Sequence, residues 1–335
     1  MPKLQLGFHG TFALKKEDLR KILNTAAEDE GVKGEIEELV TRTALGYQKV
    51  SRIISWAARA GLIANKRLSP EGEIVLHRDP YLNSPITDWL MHFHLSFGSE
   101  GLAPPPTNPA DWGGWTWFVY DFAPRHTTFT ADQLTQASSA IFDDSPKLIA
   151  KNFKFLLRAY TEPQALKGCQ YLTHSGDQYS TQNPALPNPY PIGYLLAKLW
   201  QRDYPGQTTQ LTETILNQPY GLTPLLGLWP EQIQPHLNNL ETCGPIAQLS
   251  RDPPFQIIPR WRDPLDLLDQ AYQTAESHDR RPPASPTPPH HRRRIHPADR
   301  SPDPARQRQP RTGARHHHPY GCQRTRPRSL HHPPA

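Results

Sequence analysis

The sequence predicts a mainly α-helical protein carrying small β-hairpins. Three observations predict it. Several stretches repeat apolar residues at three- and four-residue spacing, the period of a helix with one buried face. Short apolar runs come in pairs around Gly and Pro turn signals. A thirty-residue pattern of helix, Gly, strand, turn and strand occurs twice, near Gly61 and near Gly244.

The elements follow in order. "FALKKEDLRKILNTAAEDE" (12–30) spaces Leu14, Leu19, Ile22, Leu23 and Ala26 along one helical face, with charge outside. "KGEIEELVTRTALG" predicts a second, short helix stopped near Gly46. "YQKVSRIISWAARAGLI" predicts a third, burying Val50, Ile53, Ile54 and Ala57, with Gly61 suited to a left-handed cap. "LIANKRLSPEGEIVLHRDP" then reads as two short strands around an "SPEG" turn. Helix, short helix, turn, helix and hairpin is the order of a winged helix-turn-helix, assigned here to residues 1–82.

Residues 83–205 read as a helical middle region with one aromatic strand. "TDWLMHFHLSF" is a helix through Trp89, Leu90, Phe93 and Phe97. Asp111 to Phe122 reads as a Gly113-Gly114 turn followed by the aromatic strand. Thr130 caps a helix, and "SPKLIAKNFKFLLRAYT" makes a sharper one, buried by Ile149, Phe153, Leu156, Leu157 and Tyr160. "GDQYSTQNPALPNPYP" reads as a loop, and "IGYLLAKLWQRDY" as a helix. Superposing Gly61 on Gly244 aligns Ile63 with Ile246 and Ile74 with Ile257, so a second winged-helix-like module is expected at 206–275. The predicted fold class is thus mainly α with small β-hairpins, in tandem winged helix-turn-helix modules.

The net charge of +5 hides two parts. Residues 276–335 hold 13 Arg, no Lys and four acids, a net of +9; the preceding 275 residues hold 24 basic and 28 acidic residues, a net of −4. Only local patches therefore argue for nucleic acid. The tail is also rich in Pro and His and poor in aliphatic residues, a composition that cannot bury a core and predicts disorder. Two readings of it stand: a basic arm, or GC-rich DNA read out of frame, in which Lys vanishes as Arg, Pro and His rise.

There is no run of eighteen apolar residues, and the start lacks the charged head and apolar centre of a signal peptide. Three scattered cysteines, Cys169, Cys243 and Cys322, argue against a disulfide framework and for a reducing cytoplasm. No phosphate-binding Gly-rich loop with Lys, CxxC pair, H-E-x-x-H or Gly-x-Ser-x-Gly is present. Neither a catalytic set nor a cofactor is expected. His92 and His94, two residues apart on a helix, point about 200° apart, which is poor for one metal. No metal site is expected.

Two basic patterns carry the functional reading. From Leu39 to Pro70 there are six basic residues, Arg42, Lys49, Arg52, Arg59, Lys66 and Arg67, and no acid. Gln48, Arg52, Ser55 and Arg59 share an outward face of the third helix, where Gln and Arg read base edges; Lys66 and Arg67 suit phosphates beside the wing. A module of this kind reused as a protein adaptor would carry the same face as a solvated one. Further on, Lys147, Lys151, Lys154 and Arg158 form a single stripe at helical spacing, suited to a phosphate backbone or an acidic partner. Around the second module, from Glu231 to Arg262, three acids balance three Arg, so partner contact or packing suits it better than DNA.

Seven stretches carry a family resemblance: "GFHGTFALKKEDLRKIL", "LSPEGEIVLHRDPYL", "TDWLMHFHLSFG", "NPADWGGWTWFVYDF", "SPKLIAKNFKFLLRAYTEP", "LPNPYPIGYLLAKLW" and "PFQIIPRW". Over residues 4 to 275 the chain resembles the bacterial DUF4007 family, a family of unknown function, in its cyanobacterial form. The resemblance stops at the tail. It implies a winged-helix protein encoded beside DNA phosphorothioation genes, notably a sulfurtransferase similar to phosphoadenosine-phosphosulfate reductases. It supplies no catalytic residues. The expectation is a non-catalytic, cytoplasmic, DNA-binding accessory of a phosphorothioation and restriction system, acting on DNA that carries phosphorothioates or not. An adaptor scaffolding the modification enzymes, and a regulator of the defence operon, are the alternatives.

Overall fold

The apolar faces read from the sequence are the faces that pack. In the computed structural model, which describes residues 1–181, 184–249, 251 and 253–279, α1 (Lys16–Ala26) buries Leu19, Ile22, Leu23 and Ala26. Helix α2 (Ile36–Thr43) stops at Ala44, which takes a left-handed φ of 50°. Helix α3 (Tyr47–Arg59) buries Val50, Ile53, Trp56 and Ala57, and Gly61 follows it at φ 74°, as expected of a left-handed cap.

A hairpin of β1 (Ile63–Ala64) and β2 (Arg67–Leu68) comes next. Its two-residue turn, Asn65-Lys66, has positive φ at both positions, the signature of a tight hairpin turn. The expected turn at "SPEG" is not a turn, and the run after it is not a strand. Ser69 accepts the Gly72 N–H at 2.9 Å and Pro70 occupies the first helical position, so α4 (Pro70–Arg78) starts there. The same Ser-Pro pair serves turns and helix starts; a proline ring without an N–H loses nothing in a first helical turn.

Helix α5 (Pro85–Leu95) is a core helix, with nine of its eleven residues buried. The aromatic stretch after Gly113 is helical rather than a strand. It runs as α6 (Gly114–Trp117), a π-helical turn (Phe118–Phe122) and α7 (Ala123–Arg125). Its aromatic residues favour strands on a half-buried surface, but Trp115, Trp117, Phe118, Tyr120 and Phe122 are all buried, on every side of the axis. A helix satisfies its own backbone in such a dry setting without needing a sheet neighbour.

The middle region continues with β3 (Thr128–Thr130), α8 (Ala131–Ser139) and α9 (Pro146–Thr161). Thr130 is the expected cap and forms a reciprocal capping box with Gln133. The expected loop at 176–191 begins instead with strand. β4 (Thr173–Ser175) and β5 (Gln178–Ser180) make a hairpin turning at Gly176, whose φ is 64°. Helix α10 (Tyr190–Asp203) leads to β6 (Gln210–Leu211), α11 (Thr212–Leu216), α12 (Leu222–Leu226) and α13 (Pro230–Cys243). Gly244 follows at φ 97°, then β7 (Ile246–Leu249), β8 (Gln256–Pro259) and α14 (Pro264–Asp279). The superposition of Gly61 on Gly244 holds for the cap and first strand, and fails where α4 replaces β8. The tail expected at 276–335 lies outside the described residues, except that the backbone of its first four continues α14.

One topology recurs. In the middle, β3 precedes two helices and a hairpin, and the sheet order is β3-β5-β4. Near the end, β6 precedes three helices and a hairpin, and the order is β6-β8-β7. All pairs are antiparallel, so in both sheets the last strand lies between the other two. The first module has the hairpin alone; the Val32 N–H, donating to the Lys66 carbonyl at 2.8 Å, stands where a third strand would pair.

A single hydrophobic core runs from Leu4 to Tyr272. Polar pairs cross it at the joints. Arg78 of α4 meets Asp269 of α14 at 2.6 Å, and Lys198 of α10 reaches Glu71 of α4 at 3.0 Å. No described helix is long and apolar enough to cross a membrane.

Candidate nucleic-acid interface

Helix α3 turns its Val50–Ile53–Trp56 face inward, which leaves Gln48, Arg52 and Ser55 toward the outside. Arg52 is exposed. Its guanidinium donates to the Phe8 carbonyl at 3.4 Å, and its stem lies over Gly10, where a Cβ would meet Nε at 3.2 Å. Ser55 donates to the Ser51 carbonyl, so its hydroxyl is tied to its own helix. Arg59 is half-buried over the Phe8 ring, 4.3 Å from its centre. Burial pulls its pKa below the usual arginine value, with Glu100 acting the other way. Lys66 projects at the hairpin tip and is exposed.

The other three predicted cations have structural partners. Arg42 reaches Glu28 at 2.7 Å, Glu30 and Glu38 at 3.6 Å, and donates to the Gly31 and Lys33 carbonyls. The Glu28 hydrogen bond, against a small burial cost, holds its pKa above the usual value. Lys49 is paired with the buried Asp18 at 2.7 Å. Arg67 donates to the Asp29 carbonyl. Among the described residues, no carboxylate pairs with Arg52 or Lys66.

The second stripe lies on α9. Lys147, Lys151 and Lys154 are exposed and also form no ion pair among the described residues. Arg158 is half-buried, paired with Glu162 and lying 5.7 Å from the centre of the Phe155 ring.

The two stripes are neighbours. A 3-10 turn at Gly7–His9 sits between α3 and α9. The His9 ring stacks on Trp56 of α3 at 6.1 Å and meets Phe155 of α9 at 4.3 Å. Phe8 meets Trp56 edge-on at 4.7 Å. The segment is pinned on both sides: Trp56 donates to the Phe12 carbonyl at 3.0 Å, and the Lys16 N–H to the Gln164 carbonyl at 2.8 Å. Burial pushes the His9 pKa down to about 4; a weak backbone contact at Gly10 opposes this, while Lys151 and Arg52 add to it. One imidazole thus feels a cation from each helix. Beside it, Lys15, Lys49 and Arg158 line a single cleft of about 200 Å³ with Asp18. Sequence spacing treated these stripes as separate sites. The turn that joins them was missed as a functional element, although it lies in the first family-like stretch, "GFHGTFALKKEDLRKIL".

The remaining candidates belong to the core. His92 is fully buried, with Nδ1 2.7 Å from the Tyr160 hydroxyl and Nε2 2.8 Å from the Leu225 carbonyl. The Nε2 of His94 lies 3.4 Å from the Tyr194 hydroxyl. Burial lowers both histidines to about 4. Cys169 is buried and burial pushes its thiol well up, which suits packing rather than nucleophilic chemistry.

Residues 7–180 match the family described as "Protein of unknown function (DUF4007)". The chain belongs to the DUF4007 family. The matched span takes in both basic helices and the turn between them. No curated protein matches the chain. Two solved structures are similar in fold. The magnesium ion-bound SspB crystal structure is 16% identical, with a TM-score of 0.62, covering 84% of this chain and 90% of that one. A second SspB crystal structure is 16% identical, with a TM-score of 0.61, covering 82% and 89%. At this identity the likeness of the DUF4007 chain to SspB is one of fold.

Proposed function

We propose that this chain is a DNA-binding accessory protein, without catalysis of its own, in a bacterial DNA phosphorothioation and restriction system. The observation that carries the reading is Arg52. It is exposed and pairs with no carboxylate among the described residues, on the third helix of a helix–helix–helix–hairpin unit, with Lys66 likewise unpaired among them at the hairpin tip. That unit is read as a winged helix-turn-helix, in which the third helix meets base edges and the wing meets phosphate. The system is supported by the DUF4007 resemblance, which implies neighbouring phosphorothioation genes and a sulfurtransferase partner, and by the SspB-like fold. The cytoplasm is its compartment on this reading.

One of the two similar SspB structures is magnesium ion-bound. Among the described residues, no three of His, Cys, Asp and Glu gather where they would hold a metal ion.

A protein-adaptor reading is favoured by a different observation. The C-terminal module exposes Trp229 at 47%, Leu249 at 52% and Phe255 at 49%. Exposed apolar groups in one module favour a protein partner there. The two readings are compatible if α3 meets DNA and the C-terminal module meets an enzyme.

The test is a salt titration of duplex binding by the full chain. Affinity should fall steeply with salt, and Arg52→Ala should reduce the slope by the equivalent of one neutralised phosphate, roughly 0.9 in log–log form. No binding at low salt sinks the reading. Comparing plain with phosphorothioated duplex then reads modification sensing.

A further inference from the structure

We propose that α3 and α9 form one continuous surface for a single stretch of double-stranded DNA, α9 gripping the phosphate backbone beside the segment that α3 reads. This inference rests on the DNA-binding reading and joins the second basic helix to the same contact.

Four observations carry it. First, α9 occupies in the middle unit the position that α3 occupies in the first: the last helix before a hairpin. Second, its three lysines are exposed and form no ion pair among the described residues, while two acids near them are engaged. Glu162 holds Arg158, and Asp144 accepts the Leu4 N–H at 3.0 Å. Third, the cations of the two helices converge on the same small segment. Arg52 and Lys151 both act on His9, and Lys49 and Arg158 line one cleft. Fourth, that segment is rigid by construction, with Phe8, His9, Trp56 and Phe155 packed ring to ring between the helices. The spacing of the two stripes is therefore set by packed side chains and not by a loose linker.

The dimensions fit a duplex. From Lys147 to Arg158 the stripe rises about 17 Å at 1.5 Å per residue. At about 3.4 Å of duplex axis per base pair, the stripe matches the axial rise of roughly five base pairs. Single-strand binders instead rely on several exposed aromatic platforms. On α3 and α9 the aromatic side chains point inward, apart from the exposed Tyr47. That favours a duplex whose bases stay stacked.

The test compares the full chain with two variants, Arg52→Ala and the triple Lys147→Ala, Lys151→Ala, Lys154→Ala. Binding to a fluorescent duplex is followed by anisotropy across a salt series. All four positions are exposed, so thermal unfolding of both variants should match the parent. The triple variant should lower the salt slope by about 2.7, at 0.9 for each phosphate no longer neutralised, and Arg52→Ala by about 0.9. A triple variant that binds with the parent's affinity and slope, while Arg52→Ala weakens binding, overturns the α9 surface and leaves the α3 reading standing. A parent that binds no duplex at low salt overturns both and points to an acidic protein partner. Equal competition by a single-stranded oligonucleotide of the same length overturns the duplex assignment.

Discussion

Gly61 lies directly against His94: a Cβ built on Gly61 would fall 2.3 Å from the imidazole carbons, and the Gly61 backbone sits at φ 74°. This one contact joins the end of α3 to α5. It also explains why the glycine is needed twice over, for its left-handed backbone and for its missing side chain. Gly61→Ala should therefore be among the most damaging small changes in the first module. Left-handed strain of about 1–2 kcal/mol and overpacking of about 1–3 kcal/mol predict a loss of roughly 2–5 kcal/mol. A urea titration reads it as a lower midpoint with unchanged slope; a loss of only about 1–2 kcal/mol would show that His94 moves aside without cost, and an unchanged midpoint contradicts both costs.

The buried histidines predict a pH dependence. His9, His92 and His94 lie at about 4 in the folded chain against 6.5 when free. Their burial is compatible with folding only when they are neutral, so their contribution is present above about pH 6.5 and lost as pH falls toward 4. Asp88 runs the other way. Burial pushes it up to about 7, against the pull of Lys16 at 2.5 Å, so it keeps its proton when folded and its contribution is lost as pH rises through 7. Between pH 4 and 6.5 the unfolded chain binds three more protons on histidine and one fewer on Asp88. Stability should then rise with pH by about 2–3 kcal/mol per unit at its steepest, keep rising more gently through pH 6.5, and level off above about pH 7.5. Denaturant midpoints across this range check the sign; stability that rises on acidification contradicts it.

His9 offers a sharper version. Its ring is enclosed by Trp56, Phe8 and Phe155, and neither nitrogen makes a full hydrogen bond. His9→Phe removes two poorly satisfied buried atoms while keeping an aromatic ring between the helices. It should leave the chain at least as stable at pH 7 and flatten the acid slope by about half, from a net two protons to one. Loss of several kcal/mol at pH 7 would mean that the imidazole has a polar role unrelated to packing.

Much of this was legible before the structure, and the failures share causes. Helical faces such as Val50–Ile53–Ala57 and Ile149–Phe153–Tyr160 appeared directly, because burial on one side leaves a period. The stretch Trp115–Phe122 did not, because burial on all sides erases the period and leaves only strand-like propensity. Ser69-Pro70 was ambiguous in principle, since caps and turns use the same residues. The β4–β5 hairpin was hidden because its strands are three residues long and polar. The joining of Arg52 to Lys151 was least legible of all. It depends on a short turn at His9 docking between helices about a hundred residues apart, and no local pattern encodes such a contact.

Arg42 separates a structural cation from the proposed DNA contact, Arg52. By sequence it belongs with Arg52, in the same acid-free run of positive charge. In the fold its guanidinium closes α2 onto the preceding loop, through Glu28 and the Gly31 and Lys33 carbonyls. Those donors face the protein, so a phosphate would have to displace them. Arg42→Ala should cost about 1 kcal/mol of stability through the broken carbonyl hydrogen bonds, with the exposed carboxylates contributing little. It should leave the salt slope of duplex binding at the parent value, while Arg52→Ala lowers it. Measuring unfolding and binding on both variants separates them: Arg42 moves stability and leaves the slope, whereas Arg52 lowers the slope and loses from the fold only one long contact, 3.4 Å to the Phe8 carbonyl. If Arg42→Ala lowers the slope as much as Arg52→Ala does, the ion-pair network around Glu28 opens when DNA arrives, and the basic surface extends from α3 onto α2.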